Sequence, residues 1–143
     1  MRTLGVDLGS VRVGVALSDP TGTLASPLVV LGRTPDLLER LSALVDEHSA
    51  GAVVVGLPRS LDGRERQAAR EARAEAALLA ERVDVPVHMQ DERLTTIVAH
   101  AGLAASGRKA RQRRGSVDAS AAAVLLQSWL ESPAGRPQED PAS

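Results

Sequence analysis

The chain has 143 residues, 43% of them hydrophobic, and a formal net charge of −1. This size and composition fit one globular domain that buries roughly 70% of its unfolded surface. No apolar run approaches the roughly 18 residues of a transmembrane helix, and the absence of cysteine excludes disulfides and thiolate metal sites. Trp129 is the only aromatic residue, which argues against stacking of single-stranded bases. We expect a cytoplasmic protein without a membrane partner.

The first half of the chain predicts three short strands, a helix and a central strand. Three β-type runs separated by turn residues indicate an antiparallel meander: 3–9, 12–18 and 24–31. Thr34, Pro35 and Asp36 have the composition of a helix start, with Thr34 as N-cap, and predict an amphipathic helix over 35–48. The continuous apolar run 51–56 is typical of a strand covered on both faces.

The second half predicts helices and one further strand. After a turn-rich loop at 56–63, the pattern predicts, in order, a helix over 64–83, a strand from Pro86 to Gln90, a helix over 95–105, a loop over 106–116 and a helix over 117–131 with Ser116 as N-cap. Together these elements predict an α/β domain over 1–131, with a mixed sheet of an antiparallel meander plus parallel strands, flanked by helices. Residues 132–143 have the composition of a disordered tail.

Acidic residues occur at three places where burial alone does not explain them. Asp7 interrupts the first apolar strand between Gly5 and Gly9, which let another backbone or a ligand approach closely. Asp91 and Glu92 end a strand, and Asp118 lies in the first turn of the last helix, in line with Ala122, Leu125 and Trp129. Each acid also has a structural interpretation. Asp7 fits a turn cap, Asp91 and Glu92 fit a surface ion-pair cluster, and Asp118 fits a helix cap. Together, converging carboxylates need a cation, and oxygen ligands suit Mg²⁺ or Mn²⁺.

A basic segment directly precedes the helix that carries Asp118. RKARQRR, residues 108–114, contains five cations and no acid: Arg108, Lys109, Arg111, Arg113 and Arg114. It fits a phosphate-binding loop, or a solvated charge run. Weaker candidates for phosphate contact are Arg12 between the first two strands, and three residues around the GLPRSLDG loop, Arg59, Arg64 and Arg66. Trp129 is expected in the core, and His88 is the histidine expected to be buried.

Four ordered blocks, GVDLGSVRVGVALSD, VVVGLPRSLDG, DERLTT and VDASAAAVLLQSWL, closely resemble the YqgF family over about residues 2–131. Members of that family are described as pre-16S rRNA nucleases or Holliday-junction-resolvase-like proteins. The resemblance implies an RNase H-like fold with a divalent-metal site. It matches Asp7, Glu92 and Asp118 to the family's three acids, with Asp91 as an additional ligand candidate.

The resemblance implies hydrolysis of phosphodiester bonds with two Mg²⁺ or Mn²⁺ ions, one activating water and one stabilising the leaving oxygen. The lack of Phe and Tyr predicts that the substrate is a structured or duplex nucleic acid, recognised by its backbone or shape. The glycines around Asp7 are then interpreted as room for a phosphate backbone. The favoured substrate is pre-16S rRNA at its 5′ end, in ribosome biogenesis. A Holliday-junction resolvase in DNA repair is the alternative, and it is expected to be a homodimer because two symmetry-related strands must be cut.

Two other classes of function remain open on the sequence. Asp7-Leu8-Gly9 through Gly14 also fits the phosphate hairpin DxGxxxxG of actin-like and sugar-kinase ATP-binding proteins. That architecture duplicates the domain, and 143 residues do not accommodate both halves. The other class is a non-catalytic RNA-binding factor in ribosome assembly. The intact set of acids argues against this class.

Overall fold

A computed structural model describes residues 1–58, 67–91 and 117–132. In that part of the chain, strands and helices follow in the order β1 (Arg2–Leu8), β2 (Arg12–Ser18), β3 (Ala25–Gly32), α1 (Leu37–Glu47), β4 (Ala50–Leu57), α2 (Gln67–Arg82), β5 (Val87–Asp91) and α3 (Val117–Glu131). The bounds of β2 and α3 are those predicted. The helix at 95–105, the loop at 106–116 and the tail from 133 onward lie outside the described residues.

The strands form one mixed sheet in the order β3-β2-β1-β4-β5. β1 pairs antiparallel with β2, which pairs antiparallel with β3, whereas β4 runs parallel to β1 and β5 parallel to β4. The predicted mixed sheet, a meander plus parallel strands, is therefore confirmed. The parallel strands β1, β4 and β5 all end at one end of the sheet, which we name the carboxyl end.

Helices cover both faces of this sheet. On one face α1 and α2 pack against leucine and valine side chains of the strands, among them Leu4, Val6, Val13, Val15, Val53 and Val55. On the other face α3 contributes Ala122, Leu126, Trp129 and Leu130 to a second core with Ala16 and Val54. Adjacent residues Val53, Val54 and Val55 are thus buried on alternate faces, which explains why β4 is apolar throughout.

The start of α1 differs from the prediction. Residues 34–37 form a turn closed by the Leu37 amide donating to the Thr34 carbonyl at 3.1 Å. The helix begins at Leu37, and Asp36, not Thr34, occupies the N-cap position. The Thr34 hydroxyl donates to the Asp36 carboxylate, so both side chains are used within the turn and the helix begins two residues later than predicted.

α3 approaches β1 closely at one residue, Gly5. A Cβ atom on Gly5 would lie 2.8 Å from Cβ of Leu126 and 3.2 Å from the carbonyl oxygen of Ala122. Both distances are too short for a side chain, so glycine is required for the helix to lie at this depth. Gly5 therefore fixes the separation between α3 and the sheet.

We expect Gly5→Ala to lower the free energy of unfolding by about 1–3 kcal/mol, because the added methyl group must push α3 outward. Chemical denaturation monitored by circular dichroism measures the change. Gly32→Ala is the matched control, because a Cβ there meets nothing within 4 Å. The control should be neutral or stabilising by about 0.5 kcal/mol, and an equal loss in both variants would contradict the packing argument.

The turn between β2 and β3 is built on the carboxylate of Asp19. The Thr21 hydroxyl donates to Oδ2, and the backbone amides of Thr23 and Leu24 donate to Oδ1 at 2.7 and 2.9 Å. These bonds, the one from Thr21 contributing most, lower the pKa of Asp19 from 3.8 to about 2. The ionised carboxylate thus organises the loop.

Because the pKa of Asp19 is lower in the folded state, its stabilising effect is present above pH 3.8 and is lost as the pH falls towards 2. We expect Asp19→Asn to lower Tm at neutral pH and to reduce the fall of Tm between pH 4 and pH 2. Thr21→Val, which removes the hydrogen bond that lowers this pKa most, should have a smaller effect in the same direction. A pH profile identical to that of the wild type would refute this role.

Candidate active site

Asp7 lies at the carboxyl end of β1 on the face covered by α3. Side chains alternate along a strand, so Asp7 shares the face of Gly5, while Leu4 and Val6 point into the core under α1 and α2. The Asp7 residue is half-buried. Gly14 of β2 lies directly opposite Asp7. On the β4 side, Val6 pairs with Val55. Because β1 and β4 are parallel, the residue after Val55, Gly56, lies beside Asp7. Asp7 therefore projects from the central strand between two residues without side chains.

The two glycines that flank Asp7 make room for the protein's own backbone. At Gly5 that backbone is the Ala122 carbonyl of α3, and at Gly9 a Cβ would lie 2.4 Å from the carbonyl oxygen of Arg12. The Gly9 amide also donates to the Asp7 carbonyl at 3.1 Å. The interpretation that these two glycines provide space for a phosphate backbone is therefore wrong. They permit close helix packing and a tight turn.

β5 brings a second acid to the carboxyl end, but on the other face. Val87 and Met89 pack against the core under α1 and α2, and alternation places Asp91 on their face. Gln90 lies on the α3 face, level with Gly56, and its amide nitrogen approaches the Ser128 hydroxyl at 3.3 Å. Asp91 and Asp7 thus lie on opposite faces. Glu92 lies outside the described residues.

α3 carries Asp118 in its first turn, one turn before Ala122. Near the other end of the helix, the Gln127 side chain accepts from the Ala25 amide at 2.9 Å and donates to the Thr23 carbonyl at 3.0 Å. Ala25 pairs with Ser18, at the end of the sheet remote from Asp7. The helix therefore runs from the carboxyl end of the sheet towards the opposite end, and its first turn lies at the same end of the sheet as Asp7.

The structure thus brings Asp7, the end of β5 and the start of α3 to one end of the sheet. Among residues 1–58, 67–91 and 117–132, no three acidic or histidine side chains form a group able to hold a metal ion. Of the basic candidates, Arg12 is exposed at the start of β2, beside the Gly9 turn. The remaining candidates lie outside the described residues: Arg59, Arg64, Arg66, Arg108, Lys109, Arg111, Arg113 and Arg114.

Trp129 and His88 form a ring contact between α3 and β5, with centroids 5.3 Å apart and an interplanar angle of 31°. Trp129 is 5% exposed, which confirms its predicted place in the core. The prediction that His88 is buried is wrong, because His88 is exposed.

No helix in the described part of the chain is long and apolar enough to cross a membrane.

Curated relatives cover most of the chain. A protein from Thermobifida fusca named "Putative pre-16S rRNA nuclease" is 50% identical over 142 residues, covering 92% of this chain and 89% of its own. Proteins of the same name from Anaeromyxobacter and Mycolicibacterium paratuberculosis are 49% and 47% identical; they cover 92% and 91% of this chain and 97% and 80% of their own.

Solved structures show the same fold at low sequence identity. RuvC from Thermus thermophilus, solved with a Holliday junction substrate, has a TM-score of 0.58 at 19% identity and covers 96% of this chain and 99% of its own. The fowlpox virus Holliday junction resolvase has a TM-score of 0.52 at 11% identity over 92% of this chain and 98% of its own. The fold is that of RuvC-like, RNase H-like proteins, as the resemblance implied.

The family model described as "RuvX: Holliday junction resolvase" matches residues 1–132. With the relatives above, this match supports a nuclease, in agreement with the resemblance noted from the sequence. The chain therefore belongs to the RuvX family.

Proposed function

We propose that this protein is a divalent-metal-dependent nuclease that hydrolyses phosphodiester bonds of structured RNA, in maturation of the 5′ end of pre-16S rRNA. One observation carries the proposal: Asp7 lies at the carboxyl end of the central strand, on the face that α3 covers, and α3 begins at the same end of the sheet. The named relatives at 47–50% identity favour the RNA substrate. Such a role belongs in the cytoplasm.

The carboxylates assigned to this end of the sheet would suit Mg²⁺ or Mn²⁺. Carboxylate oxygens are the ligands these ions prefer, and Gly14, opposite Asp7, adds no side chain that would occupy the adjacent space. We assign Asp7, Glu92 and Asp118 as the ligands of two ions. Asp91 is a weaker candidate, because the alternation of β5 places it on the face away from Asp7. When bound, such ions would activate water for attack and would offset the charge that develops on the leaving oxygen.

The chain's own contribution is positioning. β1 holds Asp7 on a strand paired on both sides, so the backbone that carries the carboxylate is held in place before substrate arrives. Preorganised charge of this kind lowers the barrier because little reorganisation is needed during reaction. Arg12 and the basic segment 108–114 are assigned to phosphate contacts that hold the substrate backbone near the acids.

The substrate is expected to be recognised by its backbone and shape. The chain has no Phe or Tyr, and its single Trp is buried where α3 packs on the sheet, so no Phe, Tyr or exposed Trp is available as a platform for splayed bases. A structured or duplex region supplies regularly spaced phosphates instead. The division into one domain over 1–131 and a tail after it stays a prediction.

A Holliday-junction resolvase is the second candidate, favoured by the description of the matching family model. A resolvase is expected to be a dimer, whereas an rRNA-processing enzyme has no such requirement. Solution mass, followed by cleavage of a four-way DNA junction beside a precursor 16S rRNA fragment, separates the two. A non-catalytic RNA-binding factor would bind the RNA fragment and cleave neither substrate.

We expect Asp7→Asn to lower the rate of Mg²⁺- or Mn²⁺-dependent cleavage by roughly 10²-fold or more, because the neutral amide weakens metal binding and removes charge compensation. Asp46→Asn is the control, an exposed acid on α1. Both variants should keep the circular dichroism spectrum of the wild type. Equal cleavage by wild type and Asp7→Asn would overturn the catalytic proposal.

We expect replacement of the five cations in 108–114 by glutamine to weaken nucleic-acid binding at low salt. The slope of log K against log salt should become shallower by about 0.7–0.9 for each lost phosphate contact. Filter binding over a salt series measures both quantities. Replacement of the exposed α1 and α2 residues Arg40 and Arg70 is the control. An unchanged affinity and slope in the five-fold variant would exclude the segment as a phosphate-binding loop.

A further inference from the structure

Arg33 connects the turn that follows Asp7 to helix α2. Its Nε donates to the Gly9 carbonyl at 2.6 Å, and its two terminal nitrogens donate to the two carboxylate oxygens of Glu75 at 3.1 and 2.9 Å. The Gly9 amide in turn donates to the Asp7 carbonyl at 3.1 Å. An unbroken series of hydrogen bonds therefore runs from α2 to the backbone of Asp7.

The geometry of this connection differs from that of an ordinary surface ion pair. The Arg33 and Glu75 side chains are only 30% and 26% exposed, and their contact is bidentate. The pair between Arg82 and Glu39 has one contact at 3.5 Å, with side chains 45% and 67% exposed. The planar Arg33 guanidinium donates to Gly9 through Nε and to Glu75 through its terminal nitrogens, so the relative orientation of these two partners is fixed. A single contact between flexible side chains does not fix orientation in this way.

The turn at Gly9 needs such an external restraint. It follows directly after Asp7, and its tip residues Ser10, Val11 and Arg12 are exposed, with Val11 71% exposed. Packing therefore does little to hold the tip. Glu75 neutralises the charge of Arg33 and occupies its terminal nitrogens, so this arginine is less suited to phosphate binding than Arg12.

We propose that Arg33, held by Glu75, is a positioning residue that fixes the backbone after Asp7 and thereby the orientation of the Asp7 carboxylate. The inference rests on the proposed function, because it assumes that Asp7 acts in cleavage. Arg33 acts through Gly9 and does not touch the substrate. Loss of Glu75 should therefore have the same consequence as loss of Arg33.

The test compares Arg33→Met, Arg33→Lys and Glu75→Gln with wild type in steady-state cleavage of whichever substrate the wild type cleaves, the rRNA fragment or the DNA junction. We expect all three variants to lower kcat roughly tenfold, since misplacement of a catalytic group by about 1 Å costs up to about 10²-fold. KM should stay within about twofold of wild type. The Arg33→Lys variant should not recover the wild-type kcat, because one ammonium group cannot reproduce the forked contacts of the guanidinium. Glu39→Gln, from the exposed ion pair, is the control.

A second readout does not depend on activity. Hydrogen exchange of the Gly9 amide, followed by NMR, should accelerate roughly tenfold in Arg33→Met and Glu75→Gln, while exchange of the Val54 amide in the central sheet stays at its wild-type rate. Equal acceleration at both amides would indicate general destabilisation and overturn the inference.

The remaining outcomes are distinguishable. A raised KM in Arg33→Met, rescued by lysine and absent in Glu75→Gln, would make Arg33 a direct phosphate contact and overturn the inference. Wild-type kcat in all three variants would also overturn it, provided that Asp7→Asn is inactive. If the wild type cleaves neither substrate, the proposed function fails, and the exchange of the Gly9 amide still decides whether Arg33 restrains the turn.

Discussion

The contact between α3 and β1 at Gly5 sets the geometry on which the candidate active site depends. The Ala122 carbonyl and the Leu126 side chain lie where a Cβ on Gly5 would be, so the helix rests directly on the strand backbone. Gln127 anchors the far end of the same helix beside the start of β3. With depth and direction both fixed, the first turn of α3 is held in relation to the end of β1.

The two faces of the sheet are built from different residue types for a physical reason. Under α1 and α2 the strands present leucine and valine, which bury the largest apolar area. Under α3 the central strands present small residues such as Gly5, Gly14 and Ala16, so that one helix can approach closely. The same small face leaves Asp7 without a bulky neighbour on β2. One face therefore supplies most of the large apolar core, and the other positions the carboxylate on which the proposed chemistry depends.

Periodicity in the sequence predicted most of the strands and helices because the signal is local. Alternation and turn residues predicted β2 at its observed bounds, and helical spacing did the same for α3. The observed helix α1 begins two residues after its predicted start, because Thr34 and Asp36 bond to each other within a turn. His88 was wrongly predicted to be buried, because the exposure of a strand residue depends on which segments pack over it, and its own segment does not encode that.

The candidate site divides in the same way between local and tertiary information. The sequence by itself determined the chemical class: acids at strand and helix ends, oxygen ligands without cysteine, a basic segment, and ordered motifs of one family. Only the tertiary structure decided that Asp91 lies on the opposite face from Asp7, that Gly5 and Gly9 serve the protein's own backbone, and that Arg33 reaches Gly9 from 24 residues away. These features depend on strand register and helix depth, which arise from contacts between segments distant in the chain.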